Sequence, residues 1–216
     1  MKKLFTILTL FCCISIAAQA QIKSGTFGLQ VETGYAFNIA EDNYPDMNYH
    51  AWNIAVSPGY YVTDKLFVGA GIALYDYRSN EVTSSVHGSQ SGMIKVNSSF
   101  VSIPVYAHGL WKFRAGAKPS WFVSLKAGYG IISKSMYPIK GIADLEKIES
   151  HYSGGLYLSP SIGYMYPINS KNAISLSVSY DLQKYTEERD YKTETKRVDK
   201  TDNNNSTIAV KIGWAF

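Results

Sequence analysis

The sequence predicts an all-β fold, an eight-stranded antiparallel up-and-down transmembrane β-barrel, on three observations. Apolar residues recur with period two in eight segments. The connections between these segments alternate strictly between short and long. The face opposite the apolar one is built mainly of Gly, Ala and Ser, not of Lys, Glu and Asp. Period two is the signature of a strand, whose successive side chains point to opposite faces, and an even number of strands joined by alternating turns and loops is the layout of a closed meander.

The first 20 residues stand apart. MKKLFTILTLFCCISIAAQA carries two lysines, an apolar run from Leu4 to about Ala17, and Ala18-Gln19-Ala20 in the small-x-small form of a cleavage site. Residues 1–20 are therefore expected to be a cleaved signal peptide, and 21–216 the barrel domain. The apolar run is shorter than the roughly 18 to 20 residues that span a bilayer as a helix. Cys12 and Cys13 both lie inside this segment, preceded by bulky Leu10 and Phe11 where a lipidation signal wants small residues. The expected mature chain of 196 residues has no cysteine, hence no disulfide and no thiolate metal site. It keeps 19 of the 21 basic residues against 17 acidic ones, a balance that predicts no nucleic acid or other polyanion as partner.

From there the strand runs follow in order, at approximately 25–39, 49–62, 66–78, 97–113, 121–132, 155–167, 173–187 and 205–216. TDK joins the second to the third, RAGAKPS the fourth to the fifth, and NSKNA the sixth to the seventh, all turn-like in composition. The other connections, AEDNYPDMN and roughly 79–96, 133–154 and 188–204, are longer. All short turns thus fall at one end of the sheet and all long loops at the other. IADLEKIES, within the third long connection, has a local helical pattern, and the last long connection reads as a mobile or hairpin-extended tip of mixed charge. Pro58, Pro104 and Pro160 fall inside strand runs, where proline cannot donate a ladder hydrogen bond, so a bulge or a missing bond is expected at each.

Alternation alone does not say whether the apolar face points inward or out to lipid; the opposite face decides. In the seventh run Ile174, Leu176, Val178, Tyr180 and Leu182 alternate with Ser175, Ser177, Ser179, Asp181 and Gln183. In the third, Val68, Ala70, Ile72 and Leu74 alternate with Gly69, Gly71 and Ala73. In the fifth, Trp121, Val123, Leu125, Ala127, Tyr129 and Ile131 alternate with Phe122, Ser124, Lys126, Gly128 and Gly130. A water-facing exterior would be rich in charge, whereas small residues suit the narrow interior of a small barrel. Aromatic residues add to this. Tyr60, Trp111, Phe113, Trp121, Tyr164, Tyr166, Trp214 and Phe216 cluster toward the short turns, and Tyr35, Phe37, Trp52, Tyr129 and Tyr180 toward the long loops. Two aromatic girdles around an aliphatic band are what a membrane barrel presents to its two interfaces.

The chain closes on STIAVKIGWAF, in which Ile208, Val210, Ile212, Trp214 and Phe216 share one face. A final alternating strand ending in aromatic-x-Phe, here Trp214-Ala215-Phe216, resembles the terminal signature of bacterial outer-membrane barrels. The layout of the whole mature chain, with FVSIPVYAHGLWKF followed by WFVSLKAGYG as paired central strands, is similar to the outer-membrane protein beta-barrel domain family, the small porin-like barrels akin to OmpX and the OmpA membrane domain. The resemblance implies a Gram-negative outer membrane, periplasmic termini and short turns, outward long loops, contact with outer-membrane lipid, and recognition of the last strand, through Trp214 and Phe216, by the barrel insertion machinery.

Chemistry-bearing residues are few. On the small-residue face the charges are Glu32, Lys126, Asp181 and Lys211, with Gln30, Gln183 and His108 as further polar groups. Charges in a narrow interior must pair. Strand adjacency after closure lets Glu32 and Asp181 each reach Lys211, while Lys126 must reach across the lumen. The expected role is a polar network that fills the barrel; the alternative is a gated polar path. For catalysis, His151 and Ser153 share a strand face at a loop edge, the spacing by which an imidazole could activate a hydroxyl, and the pair is faintly similar to the His-x-Ser of outer-membrane lipid A deacylases. His87 and Ser89 form a weaker pair of the same spacing. HExxH, Walker, dinucleotide and zinc-finger patterns are absent, the four histidines are dispersed, and EDNYPD and TDNNN lack the spacing of a calcium loop. No metal and no cofactor is expected. The function predicted is that of a non-enzymatic envelope barrel meeting an unidentified extracellular partner at its long loops, with a lipid-acting hydrolase at His151/Ser153 or a narrow small-solute pore as alternatives.

Overall fold

The computed structural model describes residues 24–39, 49–79, 82–86, 92–96, 99–116, 118–136, 148–191 and 197–216. The expected signal peptide, the His87/Ser89 pair and EDNYPD lie outside them. Eleven strands form: β1 Thr26–Asn38, β2 Tyr49–Tyr61, β3 Leu66–Ser79, β4 Val82–Val86, β5 Gly92–Val96, β6 Ser99–Lys112, β7 Ser120–Met136, β8 Ile148–Ser153, β9 Gly155–Pro167, β10 Ala173–Tyr191 and β11 Arg197–Ala215. The order around the wall is β1-β2-β3-β6-β7-β9-β10-β11, every pair antiparallel, and β11 pairs back onto β1 from Gln30↔Ala215 to Asn38↔Thr207. The sheet therefore closes as an eight-stranded barrel. Closure removes the free edges that an open sheet would expose.

The eight wall strands match the eight period-two runs, and the differences lie at the long-loop end. β4 and β5 pair with each other as a separate hairpin inside the second long connection. The helix expected at IADLEKIES is corrected where it is described: Ile148–Ser150 begin β8, which pairs with Thr186–Tyr191 of β10. Helical periodicity there yields to an unfilled strand edge, because β10 outruns its neighbour β9 and leaves ladder groups that β8 satisfies. β10 and β11 are each 19 residues long and stay paired to Tyr191↔Arg197. At about 3.4 Å per residue they extend roughly 60 Å, about twice the 9–11 residues a tilted strand needs to cross a bilayer.

Short turns are held by their own side chains. Thr63 Oγ1 accepts the backbone N–H groups of Lys65 (3.2 Å) and Leu66 (3.0 Å), and Asn169 Oδ1 accepts those of Lys171 and Asn172, both at 2.8 Å. These are the local hydrogen bonds that make Thr and Asn turn residues. Each in-strand proline interrupts one ladder and spares the other. Pro58 pairs with Leu29 while the β2–β3 ladder skips from Val56↔Ile72 to Gly59↔Gly69. Pro104 pairs with Gly130 while β3–β6 skips from Ile72↔Val105 to Tyr75↔Ser102. Pro160 pairs with Leu125 while β9–β10 skips from Ser179↔Ser161 to Leu182↔Leu158. Register is kept across all three gaps; the shift in the described ladders falls at Phe100/Val101 between β6 and β7.

Burial divides each wall strand by parity. Leu176 (57% exposed) and Ile212 (59%) face outward, while their neighbours Ser177 and Lys211 are buried. Twelve of the thirteen girdle aromatics are exposed on the outer wall, and Phe216 is half-buried. No described helix is long and apolar enough to cross a membrane.

Candidate functional site in the barrel lumen

The interior is packed in three layers. At the short-turn end Tyr61, Phe67, Leu110, Phe122, Met165, Ala173 and Ala215 form one buried cluster. Toward the long loops Tyr75, Tyr77, Phe100, Tyr106, Ile132 and Tyr157 pack with Ala36, Ala51, Ala55, Ala73 and Ala209. Glu32, Lys126, Asp181 and Lys211 lie between, while buried Lys112 sits at the short-turn end, its Nζ over the Tyr61 ring and donating to the Gly116 carbonyl at 3.2 Å. Large rings fit because small residues face them: a Cβ added to Gly71 would strike the Tyr106 ring and the Ser57 hydroxyl, and one added to Gly128 would strike the backbone of Val105 and Tyr106. The Gly/Ala/Ser face read in the sequence is the space into which lumen tyrosines fold.

Two ion pairs organise the middle layer. Lys211 Nζ lies 2.9 Å from Asp181 Oδ1, on adjacent strands β11 and β10, with both side chains at most 3% exposed. Asp181 also accepts from Ser159 Oγ at 2.5 Å and from Tyr75 OH at 3.0 Å, and Tyr75 OH lies 2.8 Å from Tyr157 OH. Lys211 Nζ further donates to Ser159 Oγ at 3.4 Å and to Tyr75 OH at 3.3 Å. A buried carboxylate receiving three donors is compensated for lost hydration. The second pair is Lys126 Nζ with Glu32 Oε2, 3% and 11% exposed. Lys126 also stands 5.5 Å from the Tyr106 ring centroid, whose hydroxyl meets Ser57 Oγ at 3.0 Å.

Their positions around the ring decide what passes. β1 and β7 stand four places apart in the circle of eight, so Glu32–Lys126 spans the full bore; Tyr75 on β3 and Asp181 on β10 are likewise opposite. Ser102 on β6 donates to Gln183 Oε1 on β10 at 3.1 Å, and Gln30 Nε2 donates to Tyr61 OH at 2.9 Å. The lumen is tied across in more than one direction.

The sequence placed Glu32, Lys126, Asp181 and Lys211 on one face, and all four point inward. The partners differ in one respect: Glu32 pairs across the lumen with Lys126, and Lys211 turns to Asp181 alone of the two carboxylates. Asp181 outcompetes Glu32 for Lys211 because Ser159 and Tyr75 already converge on it. Tyr75, Tyr106, Tyr157 and Ser159 escaped the sequence reading as members of the network. The signal was available for Tyr75, Tyr157 and Ser159, which share the parity of the small residues in their strands; Tyr106 shares that of Ser102 and His108, while Ala107 and Gly109 of β6 have the opposite parity. His108 is buried beside this layer, its ring 5.5 Å from Phe67 and 6.4 Å from Tyr106, and neither of its nitrogens has a protein hydrogen-bond partner.

At the outer rim, the backbone of His151 pairs with Glu188 and that of Ser153 with Thr186 on β10. Ser153 Oγ is exposed and donates to the Thr186 carbonyl at 3.5 Å. The His151 side chain lies outside the described residues. Among those residues no group of three or more His, Asp, Glu or Cys is arranged to hold a metal ion. At the chain end, Phe216 exchanges two backbone hydrogen bonds with Leu29 (3.0 and 3.2 Å), and the Trp214 and Phe216 rings lie 6.0 Å apart on the lipid side.

A closed wall with an aliphatic band outside, aromatic girdles at both ends and a polar, filled interior defines an integral membrane β-barrel. The family model described as "Outer membrane protein beta-barrel domain" matches residues 6–216, and the chain belongs to that family. Membership implies the outer membrane of a Gram-negative bacterium. Among solved structures the chain is similar to the outer membrane protein OprG from Pseudomonas aeruginosa, at 12% identity over 92% of this chain and 98% of that one, with a TM-score of 0.57. It is also similar to Neisserial surface protein A, at 12% identity over 88% and 95%, with a TM-score of 0.51. These likenesses establish the fold. No curated protein sequence matches the chain.

Proposed function

We propose that the protein is a non-enzymatic, non-conducting barrel that contributes to the outer-membrane envelope and displays its long connections on the cell surface for contact with another molecule. The observation that carries this reading is the crossed lumen: Glu32–Lys126 and Tyr75–Asp181 join opposite walls between two apolar clusters. An eight-stranded interior has room for side chains and little else, and Glu32, Lys126, Asp181 and Lys211 are paired to one another, as a structural role requires. The β10–β11 hairpin supports the display part, since it carries strand well past the length needed for crossing. Outer-membrane lipid meets the exposed band, and the insertion machinery is expected to engage the last strand.

Purified, refolded protein in a planar bilayer should show no steady ohmic conductance. Variant Lys126→Ala, which removes one cross-lumen tie, should raise conductance above that of the wild type. A stable wild-type channel would overturn the filled-lumen reading in favour of the narrow pore.

A further inference from the structure

Charge is arranged differently at the two ends of the barrel. The three short turns carry Lys65 in TDK, Arg114 and Lys118 in RAGAKPS, and Lys171 in NSKNA, against a single carboxylate, Asp64. Arg114, Lys118 and Lys171 are exposed and Lys65 is half-buried. Asp64 is engaged elsewhere, since its Oδ1 accepts the Ser24 N–H at 2.8 Å. None of the four cations forms an ion pair with a described residue. At the opposite end the β10–β11 tip mixes both signs, and exposed Arg78 is paired with Asp76 at 2.7 Å.

The three turns are neighbours on the rim. In the order β2-β3-β6-β7-β9-β10 they join consecutive strand pairs, so their cations form an arc over six of the eight strands, about 24 Å at ~4.8 Å per strand. The backbone beneath them is fixed. Lys112 N–H donates to the Lys65 carbonyl at 2.8 Å, Gly116 N–H to the Asp64 carbonyl at 3.4 Å, and Arg114 N–H to Ser120 Oγ at 2.8 Å. Lipid-facing side chains set the height of the arc. Val62 comes three residues before Lys65, Phe113 adjoins Arg114, Trp121 comes three residues after Lys118, and Ile168 and Ile174 flank Lys171, all 40–57% exposed on the outer wall. The edge of the hydrocarbon runs through these residues, and charged groups on flexible stems reach the layer just beyond it, where headgroup phosphates lie.

A layer of one sign discriminates among headgroups. Phosphatidylethanolamine and phosphatidylcholine bring a cation with every phosphate, and that cation would stand against Lys and Arg. A headgroup whose phosphate carries an uncharged alcohol brings none. Arg114 adds paired N–H donors suited to phosphate oxygens, and basic side chains at a bilayer surface attract anionic lipid residue by residue. With the long connections outward, as in the function proposed above, on which this step rests, the rim stands in the periplasmic leaflet of the outer membrane, which is built of glycerophospholipid. We propose that the short-turn rim gathers anionic glycerophospholipid of the phosphatidylglycerol type around the periplasmic end of the barrel.

The tryptophans report the two ends separately, because Trp111, Trp121 and Trp214 lie in the short-turn girdle and Trp52 in the other. In nanodiscs with a phosphatidylcholine host, brominated phosphatidylglycerol should quench the Trp52→Phe variant with a relative association constant about fivefold that of brominated phosphatidylcholine or phosphatidylethanolamine, the effect of one basic side chain acting on each lipid. At 1 M NaCl, where the screening length is about 3 Å, the ratio should fall close to one. Lys65→Gln, Arg114→Gln, Lys118→Gln and Lys171→Gln combined should abolish the preference at low salt, with an unchanged heat-modifiable band as the check on folding. Phe at positions 111, 121 and 214, leaving Trp52, should give a ratio close to one, since Arg78 beside it is already paired. A ratio of one at the short-turn girdle would mean that the four cations face water or a soluble acidic partner and would overturn the proposal. So would a preference that survives the fourfold substitution or is equal at Trp52. Both leaflets of a nanodisc have the same composition, so the outcome is independent of which way the barrel faces in the cell.

Discussion

Asp181 is the most heavily committed side chain of the lumen, with Lys211, Ser159 and Tyr75 all donating to a carboxylate that is 1% exposed. Removing its cation strands a buried charge, so Lys211→Met should lower unfolding stability by about 3–5 kcal/mol, the range for breaking one side of a buried pair. Lys211→Met combined with Asp181→Asn should recover part of that loss, and Lys126→Met should cost less, because Glu32 at 11% exposure is nearer to water. Urea titrations followed by the folded band on a cold detergent gel give the comparison; equal costs for the two lysines would refute this ranking. Glycine supplies a second test at the same scale. A Cβ on Gly128 meets the carbonyl of Val105 and the Tyr106 backbone, neither of which has a free end to swing away, whereas a Cβ on Gly109 meets nothing within 4 Å. Gly128→Ala should therefore destabilise by roughly 1–3 kcal/mol, as overpacking does, and Gly109→Ala should stay within about 0.5 kcal/mol of the wild type.

At the scale of elements, β11 closes the barrel by pairing with both β1 and β10, and its last backbone bonds are the reciprocal pair between Phe216 and Leu29. Phe216→Glu puts a charge on the lipid side at the girdle and should reduce assembly into the membrane while export continues; a soluble periplasmic pool beside a diminished heat-modifiable band is the expected outcome, and an undiminished band would remove any special role for that residue. The wall strands were legible in the sequence because one face meets lipid and the other a crowded lumen, so a slip of one residue in β7 or β10 would turn Lys126 or Asp181 into hydrocarbon. That constraint ends where the membrane ends. β8, β4, β5 and the outer ends of β10 and β11 lie beyond the eight period-two runs, and their pairing is dictated by neighbouring edges that only the fold supplies. The in-strand prolines show the same division. Pro58, Pro104 and Pro160 announced missing donors, but which neighbour loses the bond depends on which side each ring nitrogen faces. The inward placement of the four charges followed from parity, while the choice of Lys126 over Lys211 as partner to Glu32 depended on Tyr75 of β3 and Ser159 of β9, which only the closed fold brings to Asp181.

Over the whole molecule, the asymmetry between ends is the strongest directional feature. Turns of a few residues, held by Thr63 and Asn169, close one end, and the other carries the β4–β5 hairpin, β8 and the projecting β10–β11 pair. The family resemblance leads us to expect the long connections to face outward and both ends of the chain to be periplasmic. Cysteine labelling tests this directly, because Cys12 and Cys13, both within the expected signal peptide, are the chain's two cysteines. Lys200→Cys sits on the exposed outer part of β11, and Lys171→Cys on the exposed turn between β9 and β10. In intact cells a membrane-impermeant maleimide should modify the cysteine at 200 and spare the one at 171 until the outer membrane is permeabilised. Labelling at 171 with protection at 200 would invert the barrel, without altering the register of any strand.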